Sequence, residues 1–122
     1  GVLDWEMATI GDPLMDLGSS LGYWVQNDDP EDFQAARMLP TTLPGALTRD
    51  ELVKRYEKLA GIKIENFDFY LCFGLFRLAV IAQQIYYRFY HGQTKDERFK
   101  ILIFAIHILE KAALRAIDQS GL

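Results

Sequence analysis

The chain has 122 residues, 50% of them hydrophobic and 25% charged, which is enough for one compact domain with a core and too little for two. Its net charge of -4 and pI near 5.1 give no basic patch to attract nucleic acid or an anionic membrane surface, so neither is expected as a partner. The single cysteine, Cys72, excludes an internal disulfide and fits a reducing, cytoplasmic setting.

The most apolar run, Phe69 to Tyr90, is interrupted by Arg77 and Arg88 with Gln83 and Gln84 between them. A span needs about 20 mainly apolar residues, so no membrane crossing is expected. The opening residues carry neither a basic leader nor an apolar h-region, so no signal peptide is expected either. The chain begins Gly1-Val2-Leu3-Asp4, without Met. That start reads either as the end of a strand cut from its sheet, with an N-terminal portion missing, or as a tag scar at Gly1.

Val2 and Leu3 are expected as a strand stub. Gly11 followed by Asp12-Pro13 is a helix-start signal, because Asp12 can cap free amides and Pro13 lacks only an N–H that would be unbonded anyway. The helix that follows should carry Leu14, Leu17, Leu21, Tyr23, Trp24 and Val25 and fade near Asn27. Gly18 and Gly22, four apart, would admit another backbone on one side. A short helical turn from Pro30 to about Arg37, capped by Asp29, interrupts an otherwise irregular Asp28–Leu47 segment. Thr48 and Glu51 form a capping box, stapled by Leu47 and Leu52, for a helix that runs to Ala60 and stops at Gly61. Asn66 opens a helix to about Tyr90 that is apolar almost all round, so it is expected to be the buried centre, touched by the helices before and after it. Thr94 and Glu97 form a second capping box. The last helix, Lys95–Asp118, spaces Phe99, Leu102, Ile103, Ile106, Leu109, Ala113, Leu114 and Ile117 on one face. The expected fold class is an all-α helical bundle with a short N-terminal strand stub.

Chemistry concentrates in Leu3-Asp4-Trp5-Glu6, then Gly11-Asp12-Pro13, then Asp16-Leu17-Gly18. An acidic residue directly after an apolar strand is placed to hold a metal at the mouth of a cleft, and Mg²⁺ takes one or two carboxylates together with phosphate oxygens and water. Asp4 fits that role, and Glu6 would point to the same side if the strand continued. The plain structural alternative is a solvated turn residue at Asp4. Asp16, in a first helical turn, also suits the helix dipole without any further role.

Taken together, these three pieces resemble the aminoglycoside phosphotransferase and choline kinase family. More narrowly, they are similar to the kinase-like domain found in acyl-CoA dehydrogenase family proteins. Leu75-Phe76-Arg77-Leu78-Ala79-Val80-Ile81 and His91-Gly92-Gln93-Thr94 extend the resemblance over most of the chain. It implies that residues 1–122 are the C-terminal helical part of a protein-kinase-like α+β fold. It further implies transfer of the ATP γ-phosphoryl group to a hydroxyl of a small molecule, with Mg²⁺ as cofactor and ATP as co-substrate. By that resemblance Asp4 binds the metal and Asp16 braces the catalytic loop; Glu6 and Asp12 also match the family pattern, Glu6 as a candidate second metal ligand and Asp12 read as the helix cap. The narrower likeness points to a hydroxyacyl thioester as acceptor.

The family's glycine-rich loop, phosphate-pairing Lys and His-x-Asp-x-x-x-x-Asn loop are not within the chain, so the catalytic base is expected upstream and the 122 residues alone are expected to be inactive. They should pack on that N-terminal portion or on a second copy. His91-Gly92-Gln93 imitates the start of the catalytic loop, but Gln93 stands where Asp is needed, and a helix-to-helix turn is the better reading. His91 and His107 lack zinc spacing, His107 reads as a core or edge histidine, and Cys72 as a small buried hydrophobe. Arg77, Gln84 and Arg88 share a helix face that either lines a cleft or pairs with buried carboxylates, with pairing favoured. Tyr86, Tyr87, Phe89 and Tyr90 read as packing groups. The competing function, from a different class, is a non-catalytic helical interaction module or pseudokinase remnant. A stand-alone all-α binding protein is a third reading.

Overall fold

A computed structural model describes Gly1 and residues 3–120. Five helices follow one another: α1 (Pro13–Gly22), α2 (Glu31–Ala35), α3 (Arg49–Ala60), α4 (Phe67–Tyr90) and α5 (Leu102–Ser120), with 3₁₀ turns at Trp5–Met7 and Glu97–Ile101. The all-α class holds. The expected strand stub falls partly on Val2, which lies outside the described residues, and Leu3 has no strand structure.

The helix boundaries follow local chemistry. The Asp12 carboxylate accepts the Leu14 amide at 2.9 Å, and Pro13 takes the first position of α1. The helix stops at Gly22 rather than near Asn27, because a side-chain turn competes with it there: the Gln26 amide donates to the Asp29 carboxylate at 2.8 Å, and the Asp29 amide returns to the Gln26 carbonyl at 3.1 Å. Asp29 is thereby unavailable as the cap of α2, whose leading residue is Pro30 without a side-chain bond. The Thr48–Glu51 capping box forms in both directions, and Gly61 closes α3 at φ 67°, a conformation glycine adopts freely. The second expected box, at Thr94 and Glu97, does not form. Asp96 caps the 3₁₀ turn instead, accepting the Arg98 amide at 3.0 Å, and α5 proper starts at Leu102, directly after that turn.

The core lies where α4 packs between α1 and α5. Val25, Phe33, Leu75, Leu109, Ala112 and Ala116 form its buried cluster. At the α1–α4 crossing Gly18 and Gly74 bring the two backbones together, and Gly22 lies against Gly74 as well.

Two expectations about α4 are corrected. The helix is not buried all round: α1 and α5 cover two flanks, while Phe69, Phe76, Val80 and Tyr87 leave a third open, with Phe76 62% exposed and Tyr87 53%. Nor does α3 pack on it. No residue of α3 is buried, and the helix is held at its N-terminus by polar ties. The Trp24 indole donates to the Leu47 carbonyl at 2.9 Å, and the Arg49 guanidinium reaches the Trp24 carbonyl at 2.7 Å and the Asp29 carboxylate at 2.6 and 2.8 Å. Uniform hydrophobicity along α4 fixes a preference for burial, but only two helices are at hand to provide it. Arg77 and Arg88 also fail to break the run. By length and composition alone Phe67–Tyr90 is apolar enough to cross a membrane, although here it is the middle member of a packed bundle.

Candidate functional site

Asp4 adopts the left-handed region, φ 59° and ψ 39°, and leads into the Trp5–Met7 turn without accepting a capping bond. Aspartate is among the few non-glycine residues that tolerate this conformation. Its carboxylate is exposed and has no hydrogen-bond or ion-pair partner among the described residues. The turn aims Asp4 into a cavity of about 760 Å³ between the N-terminal segment, the first turns of α1 and the middle of α4. Trp5, Met15 and Phe73 supply apolar wall, and Asp12, Asp16 and Arg77 supply charge.

Each expected site residue has a definite place. Asp16 projects into the same cavity from the first turn of α1 and is likewise exposed and unpartnered. Asp12 is committed on both oxygens, one to the Leu14 amide and the other to the Tyr70 hydroxyl, which donates at 2.9 Å from α4. That bond pulls the Tyr70 phenol above its ordinary pKa, because ionising it would place a second negative charge beside Asp12. Asp12 therefore caps α1 and ties it to α4. Glu6 is not brought to the cavity wall. The extended alternation that would align it with Asp4 is replaced by a 3₁₀ turn, and Glu6 is exposed elsewhere.

Arg77 is the residue whose role the sequence reading weighed the wrong way. The pairing with carboxylates favoured for Arg77 and Arg88 is absent: neither makes an ion pair among the described residues, and Arg77 lines the cavity with Asp4 and Asp16. The usable signal was its position three residues after Gly74. Once the glycine-lined crossing is recognised, the next turn of α4 must flank α1.

Three carboxylates, Asp4, Asp12 and Asp16, face one guanidinium in this cavity, a balance that suits a cation. Among the described residues no three His, Cys, Asp or Glu side chains are gathered closely enough to cage a metal. Such a donor set fits Mg²⁺, which takes oxygen from one or two carboxylates and completes its shell with phosphate and water, and it does not fit zinc. Asp4 and Asp16 are the two carboxylates free to serve.

The remaining candidates lie elsewhere. His91 stacks on Tyr87 at 4.1 Å between ring centres, in the turn that closes at Gly92 with φ 69°. It is about 20 Å along α4 from Arg77 at 1.5 Å per residue, so the turn reading of His91-Gly92-Gln93 stands. His107 is exposed, 3.4 Å from Glu110 on the same helix, and not a core histidine. Cys72 is half-buried and packs against the core cluster.

The model of the phosphotransferase enzyme family matches residues 1–61, the half that contains Asp4, Asp12 and Asp16. The chain belongs to that family. It is also 38% identical over 97 residues to mouse acyl-CoA dehydrogenase family member 10, covering 78% of this chain and 9% of that protein. With human acyl-CoA dehydrogenase family member 11 it shares 35% over 99 residues, 79% of this chain and 12% of that protein. With the probable acyl-CoA dehydrogenase IBR3 of Arabidopsis thaliana it shares 31% over 98 residues, 77% of this chain and 12% of that protein. The chain thus spans about a tenth of the length of these relatives. No solved structure matches it.

Proposed function

We propose that residues 1–122 are the helical C-lobe portion of an ATP-dependent small-molecule kinase, and that the complete protein transfers the γ-phosphoryl group of ATP to an alcohol. The observation that carries this reading is the pair of free carboxylates, Asp4 and Asp16, facing Arg77 across one cavity, within the segment matched to the phosphotransferase family. In the reaction the acceptor oxygen bonds to the γ-phosphorus as the bond to the β–γ bridging oxygen breaks. The products are ADP and a phosphate monoester, and the hydroxyl proton passes to a base outside these residues.

Asp4 would hold Mg²⁺ against the nucleotide phosphates, where the ion would supply charge neutralisation. Glu6 lies on the 3₁₀ turn outside the cavity wall, so the hold on the ion is assigned to Asp4 rather than to Glu6. Asp16 braces the catalytic loop by accepting its backbone amides, and Arg77 offsets phosphate charge. Asp12 keeps α1 fixed on α4 through Tyr70. The glycine-rich loop, the phosphate-pairing Lys and the base are assigned to sequence outside the chain, a reading supported by the tenth of its relatives' length that it spans. The open α4 flank is the surface on which that portion packs. The names of the relatives favour an acyl thioester bearing a hydroxyl as acceptor. With no second cysteine for Cys72, a reducing, cytoplasmic setting suits the protein.

Asp4→Asn is the cleanest test, because Asn also tolerates the left-handed conformation. The complete protein should bind Mg²⁺–ATP and phosphorylate a hydroxyacyl thioester, and lose at least about 100-fold in kcat with this variant, as expected for removal of a charge stabiliser at the transferring phosphoryl group. The 122-residue chain should show no ATP turnover. Undiminished phosphotransfer by the variant would place the chemistry elsewhere. Absence of any ATP binding by the complete protein would favour the non-catalytic module.

A further inference from the structure

A second cavity, of about 280 Å³, lies between the loop after α1, the N-terminus of α3 and the C-terminal half of α5, and shares no lining residue with the one that holds Asp4. Its floor is apolar: Phe33, Leu75, Ala112 and Ala116 are all core residues. Two cations and two anions line it, and they are used unequally. Asp29 is saturated, bound in a two-point fork by Arg49 at 2.6 and 2.8 Å and by the Gln26 amide at 2.8 Å. Asp28 accepts the Gln26 side-chain amide at 2.7 Å. Arg115 has no ion pair and no hydrogen bond among the described residues, although it is half-buried at the cavity wall.

A guanidinium stays protonated at any accessible pH, and losing hydration over an apolar surface without a partner is unfavourable. The neighbouring carboxylate that would ordinarily satisfy it is held by Arg49. We propose that this cavity binds a small organic monocarboxylate, with Arg115 gripping the carboxylate in a bidentate fork and the Phe33–Leu75 floor taking a short alkyl or aryl body. Charge selects the monoanion. Asp28 and Asp29 offset Arg49 and Arg115, so the wall carries no net charge; the unpaired Arg115 guanidinium accommodates one negative charge, and a phosphate dianion would meet net repulsion. Volume selects the size, since 280 Å³ is at the lower limit of ordinary ligand pockets and excludes a nucleotide.

Titration of the ¹⁵N-labelled chain with benzoate and with hexanoate tests this. Saturable shifts are expected for the Arg115 side chain and the amides around Ala112 and Ala116. Benzyl alcohol and inorganic phosphate should bind at least about tenfold more weakly, the loss expected when a charge-assisted fork is removed. Arg115→Gln should lower benzoate affinity by the same factor with an unchanged melting temperature. If that variant does not fold, Arg115→Lys decides: it keeps the charge, loses the fork, and should bind severalfold more weakly. Asp4→Asn should leave benzoate binding unchanged, which separates this site from the proposed phosphoryl-transfer site. Absence of saturable shifts with either acid, or equal benzoate affinity in the Arg115 variants, would overturn the proposal. So would binding of benzyl alcohol as tight as that of benzoate.

Discussion

Gly18 on α1 and Gly74 on α4 meet so closely that neither has room for a methyl group. A Cβ on Gly18 would stand 2.2 Å from the Tyr70 carbonyl oxygen, and one on Gly74 would stand 2.1 Å from the carbonyl oxygen of Gly18. Both obstructing atoms are backbone, so the helices must separate to admit a side chain. Gly74→Ala should therefore destabilise the chain by about 1–3 kcal/mol in urea unfolding, after offsetting the better helix propensity of alanine. A variant as stable as the parent would mean that the crossing is looser than described.

Leu75, the next residue, is only 3% exposed and faces α5 within the core cluster, whereas Leu78 is merely half-buried. Leu75→Ala should cost about 2–5 kcal/mol, and Leu78→Ala clearly less. Equal losses in chemical denaturation would contradict the burial order.

The capping box of α3 makes its stability pH-dependent. The Thr48 backbone amide, followed by its hydroxyl, holds the Glu51 carboxyl below the usual carboxylate range. Because the folded pKa is the lower one, this contribution is present above the ordinary glutamate value and lost as pH falls through the depressed one. Circular dichroism of the parent should show helix loss across that acidic window, and Glu51→Gln should flatten the component assigned to α3. An identical pH profile in the two proteins would remove the ionised box as its cause.

Phe76 and Val80 lie on the open flank of α4. In the 122-residue chain Phe76→Lys should change stability by no more than about 0.5 kcal/mol, as for other surface positions. In the complete protein it should destabilise markedly if that flank receives the remaining polypeptide, and a thermal melt of both forms distinguishes the cases. Little effect in the complete protein would show that the flank stays open there.

Arg77→Met keeps the aliphatic stem and removes the charge beside Asp4 and Asp16. The complete protein should retain its fold and lose about 10–100-fold in kcat/KM for phosphotransfer, the value of one or two charge-assisted hydrogen bonds. Unchanged kinetics would confine Arg77 to the surface.

Much of the helical order was legible because its signals are local. Asp12-Pro13, Thr48 with Glu51, and Gly61 act within one turn of chain, and the structure uses each as written. What was not legible depends on distant partners. Asp29 reads as a cap from its neighbours, but Arg49, twenty residues away, takes its carboxylate. Thr94 and Glu97 have the spacing of a box, yet Asp96 competes successfully for the same turn. The apolar circumference of α4 states how much surface seeks cover without saying how many helices will supply it. At the candidate site Asp4 and Asp16 could be named from the motif. Their convergence with Arg77 could not, because it follows from two glycines letting α1 and α4 touch.

The manner in which α3 is attached has a consequence for how the molecule responds to its solvent. Its hold on the bundle is an ion pair, an indole hydrogen bond and a few backbone contacts at one end, whereas α1, α4 and α5 cohere through apolar surface. The Arg49–Asp29 pair is largely shielded from water, so added salt reaches it only weakly. Urea, which solvates peptide groups as well as apolar surface, should instead release the Thr48–Gly61 arm before the three-helix body opens, giving the domain a limb that detaches ahead of its trunk.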